Sequence, residues 1–122
     1  LSDLFLLSTS MTFDMRKYRI RVFKEALHQI GNPSYIQLLV NPKAMAVAIR
    51  ATTQTDDQAH KVSKELMASD NSVEIYSRLF IEKLSEMIGG LDPGFTYRIT
   101  GTVLPSKQAA VFPLRTIKKA DY

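Results

Sequence analysis

The chain has 122 residues, 45% of them hydrophobic and 23% charged, which is room for a single domain (1–122) with one core in an ordinary globular composition. Sixteen Lys and Arg against twelve Asp and Glu leave a formal charge of +4, a mild excess that favours anionic partners. Cysteine is absent, which excludes disulfides, thiolate catalysis and zinc–thiolate sites and fits a reducing, cytoplasmic setting.

The first ten residues, Leu1 to Ser10, differ from the rest. Asp3 stands where a signal peptide needs basic residues, and the apolar run Leu4-Phe5-Leu6-Leu7 is too short for a leader or a membrane span. No membrane partner is expected. Two readings stay open for 1–10: a non-native extension before Met11, or a short strand or arm.

From Met15 to Ile30 two periods compete. Lys17, Arg19 and Arg21 alternate with Tyr18, Ile20 and Val22, as in a half-buried strand. Met15, Tyr18, Val22, Phe23, Ala26, Leu27 and Ile30 also fall at helical spacing, with Asp14 as N-cap and Gly31 as stop. An internal repeat favours the helix. Arg21-Val22-Phe23-Lys24-Glu25-Ala26-Leu27 recurs as Arg78-Leu79-Phe80-Ile81-Glu82-Lys83-Leu84, sharing Arg, Phe, Glu and Leu at one spacing. The second copy carries Asn71 as N-cap, Glu74 for a capping box and Gly89-Gly90 as stop. Both segments then read as helices, with Phe23 and Phe80 buried at equivalent places. Arg21 with Glu25, and Arg78 with Glu82, become ion pairs four residues apart.

Each helix leads into a hairpin. Tyr35–Asn41 and Met45–Thr52 flank Asn41-Pro42-Lys43-Ala44, and Thr96–Leu104 and Gln108–Ile117 flank Pro105-Ser106-Lys107. Pro113 lacks an amide donor and is expected at a sheet edge or bulge. The connector 53–70 is polar, with Ala59, Val62, Leu66 and Met67 spaced for a short helix after Thr55.

The expected fold is α+β: a duplicated helix–β-hairpin unit (repeat one 15–52, repeat two 71–117) forming a four-stranded, mainly antiparallel sheet with two principal helices on one face. Ile36, Leu38, Val40, Met45, Val47, Ile49, Tyr97, Ile99 and Val103 would face the helices. Tyr35, Gln37, Leu39, Ala46, Ala48, Arg50, Arg98, Thr100 and Thr102 would form an open face. In element order alone this layout resembles the TATA-binding protein, and that likeness implies nucleic acid on the open face.

No motif for a cofactor, metal or catalytic site is present, so none is assigned. His28 reads as a helix-flank residue, and His60 with Asp56 and Asp57 as a solvated loop with helix-capping acids. The basic run Arg16, Lys17, Arg19, Arg21 and Lys24 reads as a solvated helix face. Strand geometry aims Arg50 and Arg98 at the open face, and Lys43 and Lys107 occupy the hairpin turns. These four are the candidate ligand or nucleic-acid-binding residues. The leading function is a non-enzymatic binding or regulatory module using that face, with nucleic acid as partner. A homo-oligomer packed through the smooth surface of Leu39, Ala46, Ala48 and Thr100 is the alternative. An enzyme built near His60 ranks last.

Overall fold

Side-chain alternation, not helical spacing, governs the chain around residue 20. In a computed structural model that describes residues 7–62 and 71–120, Ile20 and Val22 are fully buried while Arg19, Arg21 and Phe23 face outward, as a pleated strand requires. Arg19–Phe23 is strand β2, preceded by β1 (Ser8–Asp14) and followed at once by the short helix α1 (Lys24–Gln29). Next come β3 (Tyr35–Asn41), β4 (Ala46–Thr52) and β5 (His60–Lys61). After residues 63–70, which lie outside the description, β6 (Ser72–Tyr76) leads into α2 (Arg78–Ile88). Strands β7 (Thr96–Leu104), β8 (Ala109–Pro113) and β9 (Lys118–Lys119) complete the chain, with 3-10 turns at Pro105–Lys107 and Leu114–Thr116.

These strands form one antiparallel sheet in the order β5-β3-β4-β8-β7-β1-β2-β6, with β9 also on β7. It curls into a nearly closed barrel. The architecture is therefore mainly β, and the expected four-stranded α+β layer with two principal helices is incorrect. The physical reason is local. A helix over 15–30 would leave Ile20 and Val22 on different sides of a charged surface, whereas the strand buries both and pairs Arg21 opposite Glu74 on β6. Ser72-Val73-Glu74-Ile75-Tyr76 alternates in the same way, so the capping box expected at Asn71 is absent. The N-cap of α2 is Ser77, whose Oγ accepts from the Phe80 amide at 3.2 Å. Gly89, at φ 92°, ends that helix as expected.

The expected duplication of a helix–hairpin unit is not found, although an element order does recur. Strand, helix, strand, strand recurs as β2-α1-β3-β4 and β6-α2-β7-β8. Buried helical positions correspond as Ala26 with Phe80, Leu27 with Ile81 and Ile30 with Leu84. That register is three residues away from the sequence match, which equated Phe23 with Phe80. Phe80 is indeed buried and meets Phe13 with ring centroids 6.1 Å apart, but Phe23 sits half-buried on the outer face. Of the two expected helical ion pairs, Arg78–Glu82 forms at 3.4 Å; Arg21 instead reaches Glu74 at 3.1 Å.

One core fills the concave side. Met11, Phe13, Ile20, Val22, Ile36, Ile49, Ile99 and Phe112 come from the sheet, and both helices contribute to the same cluster. Ile36, Val47, Ile49, Tyr97, Ile99 and Val103 are buried as alternation predicts, while Met45, in the β3–β4 turn, is 44% exposed. Pro113 lies not at an edge but as the last residue of an interior strand, opposite Ala46, where the ladder gives way to a 3-10 turn. In the connector, residues 53–59 form turns and His60–Lys61 pair with β3, so no helix occupies the described part; Leu66 and Met67 lie outside the described residues. Among the described residues no helix is long and apolar enough to cross a membrane.

Two substitutions test this packing. A Cβ at Gly101 would collide with the Val111 carbonyl oxygen and the Phe112 ring. Gly101→Ala is thus expected to cost about 3 kcal/mol or more in urea unfolding, at the upper end of overpacking effects. Phe80→Ala should cost about 3–5 kcal/mol. A loss below about 0.5 kcal/mol for Gly101→Ala would show that β7 and β8 are not in this contact.

Candidate nucleic-acid interface

Closing the sheet turns its second face into a convex outer wall, and the pairing register fixes which charges meet there. On β7, Arg98 lies opposite Thr12 of β1 on one side and Lys118 of β9 on the other. Directly opposed residues share a face, so two cations stand in register on the wall, an arrangement that opposes folding unless an anion is supplied. Arg98 is exposed; its Nη1 donates to Ser10 Oγ at 3.4 Å, and its guanidinium lies 6.0 Å from the centre of the Phe23 ring. Among the described residues no carboxylate lies within ion-pairing distance of Arg98 or Lys118.

The neighbouring arginines differ. Arg19 Nη2 meets Asp14 Oδ2 at 3.0 Å, Arg19 Nη1 meets Glu74 at 3.6 Å, and Arg21 meets Glu74 at 3.1 Å. Asp14 also accepts from the Arg16 and Lys17 amides and is nearly buried. The wall's acids are thus engaged on β2, and the uncompensated charge falls on β7 and β9. At the adjoining rim Lys119 Nζ stands 3.8 Å above the Phe95 ring.

Beside Arg98 a groove of about 910 Å³ opens between α1 and the outer faces of β1 and β7. Its lining includes Arg98, the hydroxyls of Ser8, Ser10 and Thr100, the Phe23 ring, and Lys24, Glu25, His28 and Asn32. His28 and Asn32 are joined, Nδ1 to Nδ2, at 3.1 Å.

The four candidates from the sequence do not converge. Arg50 Nε and Nη2 both donate to Gln37 Oε1, at 3.0 and 2.7 Å. Arg50 is level with Ala109 and, through it, with Leu104, six residues along β7 from Arg98. That is about 20 Å along the strand. Lys107, exposed in the β7–β8 turn, shares the Arg50 end. Lys43 is exposed in the β3–β4 turn, at the opposite end from Lys107. Sequence reasoning missed Phe23 and Ser10 as members of one surface with Arg98. The signal for Phe23 was present, because alternation through Arg19 and Arg21 points it outward.

Elsewhere, Asp56 accepts from Thr52 Oγ1 and the Gln58 amide, both at 2.9 Å. The Gln58 amide, the Thr52 hydroxyl and the nearby Arg50 charge hold its carboxyl below the usual range. Among the described residues no three His, Asp or Glu converge as metal ligands. A second outward row, Leu39, Ala48, Val111 and Thr102, crosses four strands as a smooth half-buried strip. Comparison with protein-family models, characterised proteins and solved structures finds no match.

His60 on β5 supplies a pH test. Burial of the imidazole holds its pKa below the ordinary value. The unfolded chain then binds the proton more readily, so stability is complete above the unfolded pKa of about 6.5 and falls as pH drops below it. His60→Gln should flatten the decline measured by chemical unfolding between about pH 7.5 and 5. An unchanged slope would place the pH dependence in other groups.

Proposed function

We propose that the protein is a non-enzymatic binding module whose ligand is nucleic acid, held on the convex wall at Arg98 and Lys118. The observation that carries this reading is the opposed cation pair, without a carboxylate partner among the described residues, beside a hydroxyl-rich groove. A phosphate between the two side chains would offset their repulsion, and Ser10 and Thr100 would donate to its oxygens. Arg50 and Lys107 form a separate cationic end, suited to a longer ligand crossing the wall.

A second reading rests on the strip of Leu39, Ala48, Val111 and Thr102. A smooth row of small and branched side chains suits packing against its own copy across a two-fold axis. Light scattering of the wild type and of Ala48→Arg separates the two. A dimer dispersed by that change, with nucleic-acid affinity intact, would assign the strip to assembly and leave the cation pair to the ligand.

The binding reading is tested by titrating a labelled oligonucleotide at several salt concentrations. Arg98→Ala and Lys118→Ala should each weaken binding and reduce the log–log salt slope by about 0.7–0.9, one phosphate's worth of counterions. Arg50→Ala measures the contribution of the other end by the same readout. Absence of salt-dependent affinity in the wild type would sink this reading.

A further inference from the structure

The curvature of the sheet and the chemistry of the groove constrain which nucleic acid fits. A nearly closed barrel presents a convex wall, against which a stiff duplex, straight over about 150 base pairs, touches along a narrow line. A flexible strand can bend over the wall and lower a base into the recess between α1 and β1. The groups that line or adjoin that recess match the parts of a nucleotide. Arg98 lines the recess from β7, and Lys118, outside the lining, stands in register beside it on β9, where a phosphate belongs. The Phe23 ring, with the Arg98 guanidinium 6.0 Å from its centre, is a flat platform for a base. Glu25 on α1 and Asn32 just beyond it also line the recess, an acceptor and an amide suited to a base edge. The carboxylate of Glu25 would repel a phosphate and attract an exocyclic amino group, which sets the direction of the unit. From these observations we infer that the groove is a nucleotide subsite for single-stranded nucleic acid, with one base stacked at Phe23 and its edge turned to Glu25. The inference rests on the nucleic-acid reading above and deepens it.

The test measures fluorescence anisotropy with short homopolymeric single strands and with a duplex of equal length, for the wild type, Phe23→Leu, Phe23→Ala and Glu25→Gln. The single strand should bind about tenfold or more tightly than the duplex, the scale of one stacked base. Phe23→Leu keeps an apolar side chain without the ring, so it should erase this advantage in a folded protein and leave duplex affinity unchanged; Phe23→Ala should do the same where unfolding curves show it intact. Glu25→Gln should alter the ranking among homopolymers without altering the salt slope, since it changes an edge contact and touches no phosphate. Equal or tighter duplex binding, unaffected by Phe23→Leu, overturns the inference while leaving the polyanion reading intact. A failure of every nucleic acid to bind overturns both. An unchanged homopolymer ranking in Glu25→Gln overturns the assignment of the base edge.

Discussion

The structure depends on the ladder between β1 and β7. All seven residues of β1 pair with β7, from Ser8 opposite Thr102 to Asp14 opposite Thr96, while the other edge of β1 pairs with β2. Without β1 the sheet order breaks into β5-β3-β4-β8-β7 and β2-β6, joined only through the core. Met11 and Phe13 point inward and are wholly buried. Thr12 and Asp14 point outward and are nearly buried as well. Asp14 also organises the turn into β2 through two amides and the Arg19 ion pair. One short strand thus closes the wall, fills the core and sets the next hairpin.

This closure sorts the charge. A net +4 over 122 residues is too small to argue for a ligand; its distribution is more informative. The Arg21–Glu74 pair is about a quarter exposed and contributes at most about 1 kcal/mol, so it is not what holds β2 in place; Arg19 and Asp14 are more deeply buried. Both pairs act on the surface potential, since Asp14 and Glu74 neutralise β2 and leave β7 and β9 as the positive part of the wall. The same register that brings Glu74 opposite Arg21 brings Lys118 opposite Arg98. Pairing that is complementary on one side and repulsive on the other is what an external anion would balance.

The hairpins were legible because their strands alternate cleanly and Pro42 and Pro105 mark the turns. The inward set from Ile36 to Val103, apart from Met45 in the turn, followed from that alternation alone. What misled was β2 and β6, five residues each, running straight into helices. A short strand followed by a short helix lets both periods score over one window, and the shared Arg-x-Phe-x-Glu-x-Leu spacing tipped the reading to helix. Closure itself left no local signal. It depends on β1 reaching β7 across almost ninety positions of sequence, from a strand whose first three residues belong to the stretch that looked foreign. The groove was hidden for the same reason, since Phe23 and Arg98 come from opposite halves of the chain.

The junction of β2 and α1 explains why a groove forms there. Phe23 is both the last residue of the strand and the N-cap of the helix, with φ −78° and ψ 150°. No loop intervenes, so the chain changes direction within one residue and leaves the Phe23 ring on the outer wall. A six-residue helix has no stability of its own in water. It stands because Ala26 and Leu27 are locked in the core, and because the Lys24 amide donates to the Asn71 carbonyl at 2.8 Å. The recess wall is therefore anchored directly to the core beneath it. A binding surface held this way loses little conformational entropy when a ligand arrives, so modest contacts from Arg98, Phe23 and a few hydroxyls translate into affinity more fully than the same groups on a mobile loop would.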